Sequence, residues 1–240
     1  MLTVLLVAAL KGCTTKPADE ESGSTTHLTI RTCPGEPVPS ELTVTCHQIE
    51  VEGASISAAV LHPPQPHRQP CPVPARRSRW PAVVDRYRWL TPRSELLDTH
   101  DVVLVDQRGG GDSTPSMNCP EMRHPDAEET ALAGDRACRD RLIKSGIDPA
   151  SVNVERIAID LVVVRQALGI DHWHLHGVSF GSRVALELMR RDEPAICLGG
   201  PLGSVVPPDV DETAELPMAS SLLSKPLKAT ALTTAPAHQG

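Results

Sequence analysis

Aromatic residues are scarce in this chain: three Trp, one Tyr and one Phe among 240 residues. A domain of that length normally packs more aromatic mass into its core, so part of the sequence is poor core-forming material. A basic excess is missing as well. The formal net charge is −7, which excludes the electrostatic footprint of a nucleic-acid binder. The apolar stretch at the N-terminus, residues 2–10, is too short to span a bilayer. No C-x-x-C occurs, and His172, His174 and His176 alternate within a predicted strand with no nearby fourth ligand. No metal site is therefore expected. Proline is what the chain has in abundance, 23 in all. Seven of them, with four arginines, fall in residues 63–81, a segment without periodicity that reads as loop.

Residues 2–10 fit the apolar centre of an export signal. Leu10-Lys11-Gly12-Cys13 resembles a bacterial lipobox, which would make Cys13 the lipidated residue and the only membrane attachment. Lys11 stands where a small residue is usual. Residues 14–40 read as a flexible tether, being rich in Pro, Gly, Ser and acids. Six further cysteines follow, and an oxidising compartment would allow Cys33–Cys46 and Cys119–Cys138 as local pairs. The sequence does not fix that connectivity, and it gives Cys71 and Cys197 no obvious partner.

The body of the chain alternates strands with helices. Leu42, Val44 and Cys46 alternate with mostly polar residues, and Gly53 separates that strand from a second over residues 55–62. Residues 101–106 form a continuous apolar run ending in a Gly-rich turn, as a buried parallel strand would. Ile157, Leu161, Val164 and Leu168 recur at helical spacing, and Gly169 ends the helix. A short strand precedes Gly177-Val178-Ser179-Phe180-Gly181, and a helix over 180–191 follows it. The pattern predicts an α/β fold with a parallel sheet.

A G-x-S-x-G pentapeptide between strand and helix is the setting of a nucleophile elbow. The turn is tight, so the residues two before and two after the serine must be small, as Gly177 and Gly181 are. Ser179 would be the catalytic nucleophile, and the backbone N–H of Phe180 one donor to the oxyanion. With Asp106-Gln107-Arg108-Gly109, Gly111 and Ser113, this stretch resembles the exported α/β-hydrolases of the proline iminopeptidase and tripeptidyl aminopeptidase group. The resemblance runs over about residues 42–217 and implies a partial α/β-hydrolase domain acting on a peptide or ester substrate, without cofactor or metal. It also implies the cysteine pair Cys119 and Cys138, which exported members carry.

Three departures follow from the same resemblance. Residues 63–81 stand where the family has its Gly-Gly-Pro-Gly oxyanion loop, and residues 192–203 where it has its next strand. Through residues 75–81, a one-base forward shift of GC-rich codons reads Gly-Gly-Pro-Gly-Gly, so a frame disturbance would explain the first. The family's acid and histidine come after the segment at 205–217, whereas residues 218–240 hold His238 and no acid and read as a disordered tail. The expectation is an incomplete α/β-hydrolase fold, lacking cap and C-terminal strands, and inactive as it stands. The alternatives are an exported binding protein on the same scaffold and an esterase rather than a peptidase.

Overall fold

The structure, a computed structural model, describes residues 5–9, 27–38, 42–62, 82–89, 100–122, 128–197, 202–203 and 205–207. All belong to one unit, Met1–Pro208. Seven strands occur in chain order: β1 (Leu5–Ala9), β2 (Leu28–Arg31), β3 (Thr43–Val51), β4 (Ala54–His62), β5 (Asp101–Asp106), β6 (His172–Val178) and β7 (Leu202–Gly203). Among the described residues three α-helices accompany them: α1 (Glu128–Lys144), α2 (Val154–Ala167) and α3 (Phe180–Arg191). The sheet order is β2-β3-β4-β5-β1-β6-β7.

The sheet is mixed, which corrects the expectation of a parallel one. Every described pairing but β6–β7 is antiparallel. The reason is local. A two-residue turn, Glu52–Gly53, joins β3 to β4, and a link that short returns the chain beside itself. β5 and β6 do run the same way, but β1 lies between them, antiparallel to both. Leu5 pairs with Leu104 on one side and His176 on the other. The apolar stretch expected as an export signal thus has its backbone in the middle of the folded sheet. A signal is recognised in the unfolded chain, so this pairing concerns the folded state alone.

Part of the expected tether is also structured. Leu28–Arg31 pairs with β3, and Cys33 is bonded to Cys46 across a Cα–Cα distance of 5.1 Å. β-branched Thr29 and Ile30 within a four-residue run suffice for an edge strand once a neighbour offers its ladder. The lipobox with Cys13, the remaining tether residues, the proline-rich segment 63–81 and the tail 218–240 lie outside the described residues.

Alternation along the strands splits the core in two. One face gathers Ile49, Ile56, Ala58, Val60, Val103, Val105, Trp173 and Leu175 under α2 and α3. Those helices contribute Ile157, Leu161 and Val164 from one and Val184, Ala185 and Leu188 from the other. The opposite face is smaller: Cys46, Ala59, Leu61, Val102 and Leu104 beneath Ala82 and Val83. Burial on both faces explains why β4 and β5 read as continuous apolar runs. Trp173 is fully buried and is among the largest core side chains.

α2 is delimited by chemistry visible in sequence. The Asn153 side chain accepts from the Arg156 N–H at 2.9 Å, an N-cap. At the other end Gly169 and Ile170 donate back to the carbonyls of Gln166 and Arg165, a Schellman closure. α1 was not foreshadowed by periodicity, because its apolar contact is narrow. Of its described side chains, Cys138 and Leu142, one turn apart, are the buried ones. Cys138 is bonded to Cys119 with Cα atoms 5.4 Å apart. Arg141 adds a hydrogen bond to the Asn118 carbonyl at 2.7 Å and an ion pair with Glu121.

Candidate active site

Ser179 lies between β6 and α3 at φ 57°, ψ −124°, and is the one non-glycine residue at positive φ among those described. An L-residue there is strained, at a cost of about 1–3 kcal/mol that surrounding packing must over-ride. Gly177 shows what holds it. A Cβ at that position would stand 2.4 Å from the Gly181 carbonyl oxygen, so strand and helix backbones meet with no room for a side chain. That close approach is the requirement read from sequence for Gly177 and Gly181. Ser182 locks the far side of the turn: its N–H and hydroxyl donate to the Ser179 carbonyl at 2.8 and 2.6 Å. The same hydroxyl accepts from Val206 N–H at 2.9 Å, and Arg183 donates to the Pro207 carbonyl at 2.9 Å. Residues 205–207 are thereby pinned against the start of α3.

The Ser179 side chain is half-buried and makes no hydrogen bond to a described residue. The Phe180 N–H is the first of α3, where no helical carbonyl lies four residues back to receive it. A strained hydroxyl beside an open helix N-terminus is suited to forming a bond with an electrophile and stabilising the negative oxygen that results.

The loop after β5 supports this end of the sheet. Asp106 is 2% exposed, and its carboxylate accepts from the N–H groups of Ala82, Val83 and Asp112 at 2.6, 3.2 and 2.9 Å. Burial pushes the Asp106 carboxyl up from its ordinary value against the pull of those three bonds. Gly111 is at φ +54°, and a Cβ there would stand 2.2 Å from the Asp106 carboxyl carbon. Arg108 forms a buried fork on Asp160 of α2, at 2.8 and 2.7 Å, and also donates to the Glu52 carbonyl at 2.8 Å. Burial raises the Asp160 carboxyl and the guanidinium opposes that. Asp106 and Arg108 therefore tie together β5, the β3–β4 turn and α2.

His172, His174 and His176 occupy the β6 face opposite Trp173 and Leu175, as strand alternation requires. One donor cluster of metal-site size occurs among the described residues, Cys119, Glu121 and Cys138 with ligand atoms within 4.8 Å. Its sulfurs are bonded to each other and Arg141 holds the carboxylate, so no set of ligands is free there.

The segment 192–203 is not lost from the sheet. Ile196 bridges to Trp173, the Cys197 N–H donates to the Trp173 carbonyl at 3.0 Å, and Leu202–Gly203 pairs in parallel with Gly177–Val178. Cys197, for which no partner was obvious in the sequence, is disulfide-bonded.

Sequence reasoning passed over Thr45, His47, His62 and Asp101, which line a cleft of about 350 Å³ at the other end of the sheet. The signal was period two on β3: Thr45 and His47 share the face opposite Val44 and Cys46.

Strand, strained serine and helix together give an α/β protein with a sharp strand–serine–helix turn. The family described as alpha/beta hydrolase fold matches residues 89–215, more than half of the chain, and the chain belongs to that family. No curated protein matches it.

Proposed function

We propose that this chain is a serine hydrolase scaffold in which Ser179 is the nucleophile and the Phe180 N–H an oxyanion donor. The observation that carries this is the backbone at Ser179, strained in the one place where strain presents a hydroxyl at a helix N-terminus. In the reaction the Ser179 oxygen bonds the carbonyl carbon of an ester or amide. Its proton passes to a base, and the leaving alcohol or amine departs protonated. The resemblance to aminopeptidases favours peptides with a free N-terminus over simple esters. It also favours export, with attachment to a membrane through Cys13.

As this 240-residue chain, turnover is expected to be slow or absent, because the Ser179 hydroxyl meets no histidine among the described residues. Without a base the attack relies on solvent, and the residual rate on the oxyanion site and binding alone. The test is labelling with a fluorophosphonate, read by peptide mass. The expected result is modification of Ser179 in wild type and none in Ser179→Ala, with p-nitrophenyl acetate cleaved far faster than aminoacyl anilides. Equal labelling of both proteins would refute the nucleophile. Turnover of aminoacyl anilides at ordinary enzyme rates would refute the missing base. A sharply melting protein that takes no label favours the binding-protein reading instead.

A further inference from the structure

β5 and β6 run the same way along the sheet, yet neither is the other's neighbour, because β1 lies between them. Two strands that flank a third are about 9–10 Å apart, twice the strand spacing, which is too far for a direct hydrogen bond. Their facing backbone edges therefore bond through whatever stands in that space. Val7, in the middle of β1, pairs with Val102 on one side and His174 on the other. Each wall of the space has support of its own. On one side β3, β4 and β5 form a continuous antiparallel ladder, with α2 packed on β3 and β4. On the other, β6 carries α3, and the two helices pack on each other. The helix layer thus joins the two halves and leaves a slot one strand wide at the level of the sheet.

The walls define what fits. Val102, Val103 and Leu104 are buried on one side of the slot, and Trp173, Leu175 and His176 on the other. Alternation places these side chains on both faces of the sheet, so a strand set between them is covered on both faces and must be apolar at successive positions. Leu-Leu-Val-Ala-Ala meets that need without one polar side chain. Among the described residues its ladders run to β5 and β6 alone, both remote in sequence. Between it and β2 lie the 18 residues 10–27. β2 is four places along the sheet, roughly 19 Å away, whereas a link of that length reaches roughly 60 Å. The link is too long to set the position of β1, so the two ladders set it.

We propose that the space between β5 and β6 is a binding slot for an extended, wholly apolar peptide strand. Leu5–Ala9 is its resident ligand, held by the two ladders rather than by the link, and exchangeable for a free peptide of the same kind. Recognition is by backbone hydrogen bonds along both edges, in the antiparallel direction to both walls, with apolar side chains above and below. One consequence rests on the export reading proposed above: cleavage before Cys13 removes residues 1–12, and with them the resident strand, which opens the slot to another.

The test uses the full chain with a site for a sequence-specific protease placed between residues 14 and 27, cut after folding. The N-terminal piece is expected to co-elute with the rest of the protein in gel filtration, and a fluorescein-labelled peptide of residues 2–10 to replace it. The same peptide with Val7→Pro loses a donor to one of the two ladders and is expected to bind about tenfold or more weakly. Release of the piece on cutting, with or without loss of the fold, overturns the proposal. So does equal uptake of the two peptides. In the uncut chain the amides of residues 5–9 are expected to exchange with deuterium as slowly as those of residues 102–104, and exchange at unfolded-chain rates overturns the proposal as well. None of these readouts uses Ser179 labelling or export, so their failure is distinguishable from failure of the hydrolase or export readings.

Discussion

Two loops leave the same end of the sheet, one after β5 and one after β6, and they are built on opposite terms. In the first, Asp106, Arg108 and Ser113 are nearly sealed from solvent and bonded to backbone or carboxylate at every turn. In the second, Ser179 is strained, half-exposed and without a described partner for its hydroxyl. The contrast teaches that adjacent glycine-bearing loops in one motif-rich sequence do different work. Gly111 makes room for a carboxylate that organises the fold, whereas Gly177 makes room for the close approach of the helix that follows Ser179. Satisfaction marks the structural loop, and backbone strain marks the one proposed to react.

The largest test of that division falls on the satisfied loop. Arg108→Ala leaves Asp160 buried and unpaired, and should cost about 3–5 kcal/mol, read as a fall in the urea midpoint. A loss under about 1 kcal/mol would mean that the fork on Asp160 is dispensable and the first loop is no anchor. Ser179→Gly probes the other loop with the opposite sign. Relief of the positive φ, less the entropy cost of glycine, should stabilise the fold by about 1 kcal/mol while removing fluorophosphonate labelling. A destabilised Ser179→Gly protein would show that the turn is not strained.

The smallest effect belongs to α3, which carries the elbow. Arg190 first, and also Arg191, hold Glu187 down to about 2 from 4.5. A depressed acid stabilises the fold above its unfolded value, and that contribution is lost as pH falls through the folded one. The window is thus between pH 4.5 and about 2. Glu187→Gln should cost about 0.5 kcal/mol near neutrality and show a flatter acid-melting curve than wild type across that window. Identical curves would assign the ion pairs no role in seating the helix.

Legibility in the sequence followed the range of the interaction. The end of α2 was readable because Gly169 closes it through a backbone group three positions away. The elbow was readable for the same reason, since Gly177, Ser179 and Gly181 meet within one turn. The roles of Asp106 and Arg108 were not, because their partners Ala82 and Asp160 lie 24 and 52 residues away. The His47–Thr45–His62–Asp101 chain was missed outright. It joins three strands, and in sequence it appears only as scattered polar residues on a half-buried face.

By itself, then, the sequence determined the strand–serine–helix unit, the end of α2 and the small residues around Ser179, all consequences of short-range sterics and backbone hydrogen bonding. Tertiary structure decided what lies beside what. It set β1 between β5 and β6, turned an expected parallel sheet into a mixed one, and drew part of the presumed tether into an edge strand. Strand pairing is chosen by which backbone edges are left open when the core closes, and side-chain alternation specifies only the face, not the neighbour.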